Sequence, residues 1–311
     1  MTAAVTGLPA VHPSMVAWLQ AERARVDAVL PRVAEQVVAG APAALAAPMR
    51  YALATPGKRI RPILCVSAWR AFQPGDAPDA VYRLACALEI VHTYSLVHDD
   101  LPCMDDDPMR RGRPAVHTVH GSARAMLAGA ALIPAAVRVL DSAAAELRLE
   151  AAIRGALVIE LSRAGGAEGM VGGQLLDLAS EGVAATAELL ERIHTRKTGA
   201  LLAASLRLGA LAAGATEAQL AAVSVYGRDL GLAFQIVDDV LDVTGDEASL
   251  GKTAGKDESS GKTTYPALFG LDGAQSLATS LVSDAVAALQ DGGIRSPELE
   301  AIARYVVERT S

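Results

Sequence analysis

Apolar residues recur along this chain at the three- and four-residue spacing of helices packed on one face, without the alternation that marks strands. From 14 to 38, Trp18, Val26, Leu30 and Val33 line one face of a first helix, with Pro31 a point of kinking and Gly40 and Pro42 closing it. A short helical stretch, 43–53, leads into the turn signal Thr55, Pro56, Gly57 and the apolar run 63–72. After a loop over 73–78, a helix begins near Asp79; its largely apolar body, 81–97, carries Leu84, Ala87, Leu88, Val91 and Tyr94 on one stripe. A Pro- and Gly-punctuated link, 108–120, precedes helical patterning over 122–147 and 149–178, the latter interrupted by Gly165, Gly166, Gly172 and Gly173. Another helix, 189–211, stops at Gly214, and Thr216 with Gln219 forms a capping box for the next, whose apolar part is 221–237. A long polar loop, 243–263, is followed by a helix over 265–289 and a last one with Ser296 as N-cap and Pro297 at its first position. The expectation is one all-α domain across 1–311, a single-domain bundle of about ten helices with a loose end at 1–13.

Composition narrows the class. Hydrophobic residues make up 51% of the 311 and aromatics 4%, an alanine-rich mix that favours close-packed helices. A net charge of −7 and a pI of about 5.4 argue against general nucleic-acid binding, which needs a basic face. The uncharged stretches 1–21, 36–49 and 125–137 are not unbroken apolar runs of the ~20 residues that span a bilayer. No basic start precedes the first apolar residues, so no signal peptide and no membrane span are expected, and the expected location is cytoplasmic. Cys65, Cys86 and Cys103 show no paired spacing, consistent with a reducing compartment, and the first two lie in apolar helical runs as core residues.

Against this background two acidic clusters stand out. Asp99, Asp100, Asp105, Asp106 and Asp107 place five carboxylates in nine residues at the end of the 81–97 segment. A helix C-terminus already carries partial negative charge, so these crowded carboxylates either take up protons through raised pKa values or bind a cation, for which oxygen-preferring Mg²⁺ is the usual partner at neutral pH. Pro102 cannot donate to the carbonyl of His98 and must distort the turn, which lets Asp99 and Asp105 converge. Asp238, Asp239 and Asp242 close the second apolar segment, with Asp238 and Asp242 on one helix face. Two such helix ends facing across a cavity could hold several Mg²⁺ ions and a diphosphate.

Basic residues complete the picture. Lys58, Arg59 and Arg61 follow a glycine just before an apolar helix, a natural phosphate site. His92 lies two turns before Asp99 on the same face. His117 and His120 lack a third ligand at suitable spacing for zinc. The Gly-Lys-Thr triplets at 251–253 and 261–263 lack the earlier glycine and the strand of a nucleotide-binding loop, and fit better as diphosphate-clamping lysines.

The Asp-Asp-x4-Asp pattern from Asp99 followed by Arg110-Arg111-Gly112, together with the run from Phe234 to Asp242, resembles the two aspartate-rich motifs of trans-isoprenyl diphosphate synthases, the farnesyl and geranylgeranyl diphosphate synthases. The resemblance covers residues 57–271. It implies the isoprenoid synthase fold around a central cavity, a homodimer, and about three Mg²⁺ held by Asp99, Asp100, Asp105, Asp238, Asp239 and Asp242. It also implies that Lys58, Arg61, His92 and Arg111 bind isopentenyl diphosphate, while Arg110, Lys197, Thr198, Lys252 and Lys262 serve the allylic diphosphate. Gly173-Gln174-x-x-Asp177 matches a further motif beside the metals, and Gln235 a cavity-lining residue. Asp99, Asp105, Arg110, Lys197 and Asp238 would carry the chemistry, in which an allylic diphosphate ionises and alkylates isopentenyl diphosphate. Tyr94 and Ser95 would set product length, with an aromatic five residues before Asp99 going with a farnesyl product and geranylgeranyl diphosphate the alternative. Ala130, Pro108 and His120 depart from the pattern without removing a metal ligand. A terpene cyclase would not need the second diphosphate site at Lys58 and Arg61, and a modulating subunit would not need intact acids in both motifs.

Overall fold

A computed structural model describes residues 13–180, 182, 186–244 and 264–308. The helices are α1 (Pro13–Val38), α2 (Ala43–Leu53), α3 (Ile60–Arg70), α4 (Asp79–Asp99), α5 (Val116–His120), α6 (Ser122–Glu146), α7 (Ala151–Gly165), α8 (Met170–Ala179), α9 (Ala187–His194), α10 (Ala200–Ala212), α11 (Glu217–Thr244), α12 (Tyr265–Asp291) and α13 (Pro297–Glu308). Their boundaries follow the expected segments closely. Both predicted caps form: Thr216 Oγ1 accepts from the Gln219 amide at 3.3 Å while Gln219 Oε1 accepts from the Thr216 amide at 2.9 Å, and Ser296 Oγ accepts from the Leu299 amide at 3.3 Å.

Two features depart from expectation. The stretch 189–211 is not one regular α-helix, because a π-turn at Thr195–Gly199 joins α9 to α10. The link at 108–120 contains a two-residue antiparallel hairpin, β1 (Met109–Arg110) with β2 (Arg113–Pro114), pairing Arg110 with Arg113. A hairpin this short has no apolar alternation to betray it.

α4 is the central element. Fourteen of its residues, from Ala80 to Val97, are buried, because α1, α2, α3, α6 and α10 surround it. The core has two main lobes. One gathers α1, α2, α4, α6 and α7; the other gathers α9, α11, α12 and α13. α3 and α10 belong to both, Cys65 and Val66 facing one lobe and Ile63, Leu64 and Ala68 the other. Such a two-faced helix pair needs close approach, and Gly209 supplies it: a methyl group there would collide with the Cys65 carbonyl. Cys65 and Cys86 are buried as expected, and Cys103 is exposed.

Gly209→Ala should therefore lower unfolding free energy by about 1–3 kcal/mol through overpacking. Gly155→Ala, whose new methyl would meet nothing within 4 Å, should leave stability equal or raise it by up to about 1 kcal/mol. Urea denaturation of the pair checks the α3–α10 contact, and equal midpoints would refute its tightness.

Candidate active site

The first acidic motif is shaped by its turn. α4 ends at Asp99, the Leu101 amide bonds back to the His98 carbonyl at 3.1 Å, and the Asp105 amide donates to the Asp99 carbonyl at 2.9 Å. The backbone thus folds over Pro102 and returns Asp105 to Asp99, as the sequence requires. Burial, with Asp105 and Asp100 adding, pushes the Asp99 carboxyl up to about 6 against the pull of Lys197 and Arg110. Asp100 is turned inward instead. It is buried and accepts from Arg110 Nε at 2.9 Å.

The second motif also divides. Asp238 is half-buried, and its charge weakly opposes the downward pull of burial on the Arg61 guanidinium. Asp239, one residue on, is buried and accepts from the Tyr265 amide at 3.1 Å, fixing the start of α12. Gln235 Nε2 donates to its other oxygen at 3.4 Å, and Gln235 Oε1 accepts from Thr198 Oγ1 at 3.0 Å. Asp242 is half-buried on the last turn of α11. This chain of bonds ties the π-turn to the acidic end of α11.

The π-turn sets Lys197, whose ammonium donates to Asp177 at 2.5 Å. Gly173 lies flat on the Lys197 backbone and Gly231 on Gly199, so side chains at either glycine would push the turn away. Both side-chain polar atoms of buried Gln174 have no partner among the described residues. Lys252 and Lys262 lie outside the described residues.

Basic groups assemble on the other side of the α4 end. Arg111 Nη1 donates to the Pro56 carbonyl at 2.7 Å and its Nη2 lies 3.2 Å from His92 Nε2. Burial together with Arg61, Arg111 and Arg110 holds the His92 imidazole well below its ordinary range, so it is neutral. Arg61 is pushed down to about 10 by burial, with Arg111 adding and Glu89 and Asp238 opposing, and its buried Nε has no hydrogen-bond partner among the described residues. Lys58 is exposed on the same turn. A guanidinium desolvated beside another cation is a site built for an anion. Arg59 differs from its neighbours in pointing into the core, and the partner that holds it, Glu89, escaped the sequence reading. The signal was a lone glutamate in an apolar segment three residues before His92.

Tyr94 is buried one and a half turns below Asp99, its ring edge-on to His98 at 5.3 Å. His98 Nε2 meets the Met126 carbonyl at 3.0 Å, and Gly129 leaves room for that imidazole. Ser95 is half-buried with its hydroxyl donating to the His92 carbonyl at 2.9 Å.

A sequence profile for polyprenyl synthetase matches residues 42–291. The chain belongs to that family. It is 44% identical over 265 residues to the farnesyl diphosphate synthase of Escherichia coli (strain K12), covering 84% of this chain and 88% of that one. It is equally 44% identical over 263 residues to the chloroplastic geranylgeranyl pyrophosphate synthase of Catharanthus roseus, covering 84% and 72%. The structure superposes on the geranyltransferase of Helicobacter pylori complexed with magnesium and isoprenyl diphosphate, with a TM-score of 0.77 at 29% identity over 96% of this chain and 98% of that one. The polyprenyl synthetase fold expected from the motifs is therefore present, and the protein is a prenyltransferase.

In this prenyltransferase the raised pKa of Asp99 has a thermodynamic consequence. A carboxyl that is harder to ionise folded than unfolded destabilises the fold above about pH 6, and that penalty fades as pH falls toward its ordinary value near 3.8. Asp99→Asn in metal-free buffer should raise stability at pH 7.5 by about 1–3 kcal/mol, with the gain vanishing near pH 4. Denaturation at the two pH values checks this; a pH-independent difference would refute it.

Proposed function

We propose that the protein is a Mg²⁺-dependent short-chain trans-prenyltransferase that condenses isopentenyl diphosphate with dimethylallyl or geranyl diphosphate, giving farnesyl diphosphate as its main product. The observation that carries this reading is the coexistence of two separate polyanion sites at the end of α4. One is acidic and needs a cation; the other sets half-buried Arg61 and exposed Arg111 beside a neutral histidine. A terpene cyclase has use for only the first.

The residues present fit magnesium. Asp105 returns to Asp99, and Asp99 has a raised pKa that a cation would relieve. Magnesium relies on one or two carboxylates per ion plus substrate phosphates and water. We assign Asp99, Asp105 and Asp238 as principal ligands, with Asp242 adding to the acidic face and Asp100 and Asp239 supporting it. About three ions are proposed. Bound magnesium would neutralise the leaving diphosphate so that the allylic carbon–oxygen bond can ionise.

The chain's own residues do the rest. Arg110 and Lys197 add positive charge at the leaving group, and the Thr198 hydroxyl and Gln235 carboxamide place dipoles next to the nascent cation. Lys252 and Lys262 are proposed as further clamps. Lys58, Arg61, His92 and Arg111 hold the second diphosphate, so that its double bond meets the allylic carbon in a fixed orientation. Proton loss to the released diphosphate completes the reaction.

A homodimer is proposed from α6, which leaves Met126, Leu127 and Ile133 exposed while its other face packs on α4. α6 and α11 are long and apolar enough to cross a membrane by length and composition. We propose no span, because 61% of the α11 window is inside the fold and α6 buries its inner face on α4. A cytoplasmic location is proposed. Geranylgeranyl diphosphate is the second reading for the product, favoured by the equal identity to synthases of both kinds.

Incubation of purified protein with isopentenyl diphosphate, each allylic diphosphate and Mg²⁺, followed by product identification, tests the proposal. Chelator should abolish turnover and Mg²⁺ restore it, and Asp99→Ala and Asp238→Ala should each lower kcat by about a hundredfold or more, on the scale of ~3 kcal/mol of transition-state stabilisation. Near-normal turnover in both variants would refute the two-motif site. In the same assay Tyr94→Ala should lengthen the product by at least one isoprene unit; an unchanged distribution would remove Tyr94 as the floor of the cavity.

A further inference from the structure

Arg59 sits between two residues assigned to the isopentenyl diphosphate site, and its neighbours in sequence suggest a third ligand. Its geometry gives it another task. Its backbone is left-handed, φ 54°, at the start of α3, and its side chain is buried with 7% exposure. Three guanidinium N–H groups are spent on three different elements: Nε donates to Asp27 of α1 at 2.8 Å, Nη1 to Glu89 of α4 at 2.6 Å, and Nη2 to the Thr55 carbonyl at 3.0 Å. The same turn is gripped from the opposite side by Arg111, through the Pro56 carbonyl. Gly57 lies between the two guanidiniums, close to both, and a side chain there would strike Arg111.

Glu89 is the second half of the observation. It is 3% exposed, one helical turn before His92, and its charge reaches Arg61 and Arg111 as well as Arg59. A buried carboxylate among three arginines could satisfy any of them. The short bond from Arg59 holds Glu89, and the buried Nε of Arg61 has no partner among the described residues.

We propose that the Arg59–Glu89 pair, braced by Asp27, is a positioning device for the isopentenyl diphosphate site: it sets the turn that carries Lys58 and Arg61 and keeps Glu89 from serving as their internal counter-ion. Left-handed backbone at a non-glycine residue costs free energy, and a guanidinium bonded to three elements at once is what over-determines it. A lysine could keep the charge but not three fixed directions. The inference rests on the proposed function and concerns only one of its two substrates.

Steady-state kinetics on Arg59→Lys, varying each substrate in turn, tests it. KM for isopentenyl diphosphate should rise tenfold or more, with KM for the allylic diphosphate and the Mg²⁺ requirement within twofold of the parent protein. Equal rises in both KM values, or no rise in a variant that is folded by circular dichroism, would overturn the proposal. Should Arg59→Lys fail to fold, Glu89→Gln and Glu89→Ala decide the matter. The glutamine can still accept from Arg59 and should stay within threefold of the parent in KM for isopentenyl diphosphate, while the alanine should exceed it by tenfold; indistinguishable values would overturn the proposal. If the unmodified protein shows no isopentenyl diphosphate turnover, the functional reading itself falls, a result separable from any of these differences.

Discussion

A helix buried on almost every side, ending in acid, is the constraint on which the molecule turns. α4 is enclosed by its neighbours over five turns, so its last residues emerge where solvent is limited and the helix carbonyls already add negative charge. Nothing about that end is favourable by itself. Asp99 is held at a raised pKa, and a few residues away Arg61 and His92 are held at lowered ones. Both signs of charge are thus present and both are under-compensated, an arrangement that folding alone would not select. A ligand bringing a cation to one side and a polyanion to the other lowers the free energy of both at once.

Stability for this strained centre comes from elsewhere. The two lobes share α3 and α10, whose contact is close enough to exclude a single methyl, and the arginine-rich turn before α3 is held by side chains from α1 and α4. The acidic end of α11 is braced in its turn by Gln235 and by the α12 amide that Asp239 accepts. Each strained ionisable group has a neighbour of the same residue type that does structural duty: Asp99 has Asp100 and Arg61 has Arg59, and half-buried Asp238 is likewise followed by Asp239, which braces α12.

That doubling explains what could be read from the sequence. Helix positions were legible because apolar spacing and caps are local, and the capping pair at Thr216 and Gln219 formed as written. The convergence of Asp99 with Asp105 was legible too, because Pro102 leaves the backbone little choice. The split within each doublet was not. Which of two adjacent aspartates faces the cleft depends on helix phase relative to distant partners, Arg110 for one and the start of α12 for the other. Glu89 was invisible for the same reason, since its partner lies 30 residues away in the turn before α3. The π-turn leaves no periodic trace, because five residues are too few to shift a pattern of apolar positions.

That turn makes the chain unusually sensitive to length at one place. An α-helix advances by about 100° per residue, and the wider turn at Thr195–Gly199 takes up that rotation between α9 and α10. Loss of one residue from this segment would let a plain α-helix run through with α9 and α10 still in phase, but the wide turn that sets Lys197 against Asp177 would be gone. Gain of one residue would rotate α9 against α10 by about 100° and carry Leu190 and Ile193, both buried, out of the core. Substitutions here change a side chain, whereas a change of length alters the turn or the phase of a whole helix. Drift in this family member should therefore tolerate changes of letter at Thr195 and Arg196 far better than any change in the number of residues between His194 and Ala200.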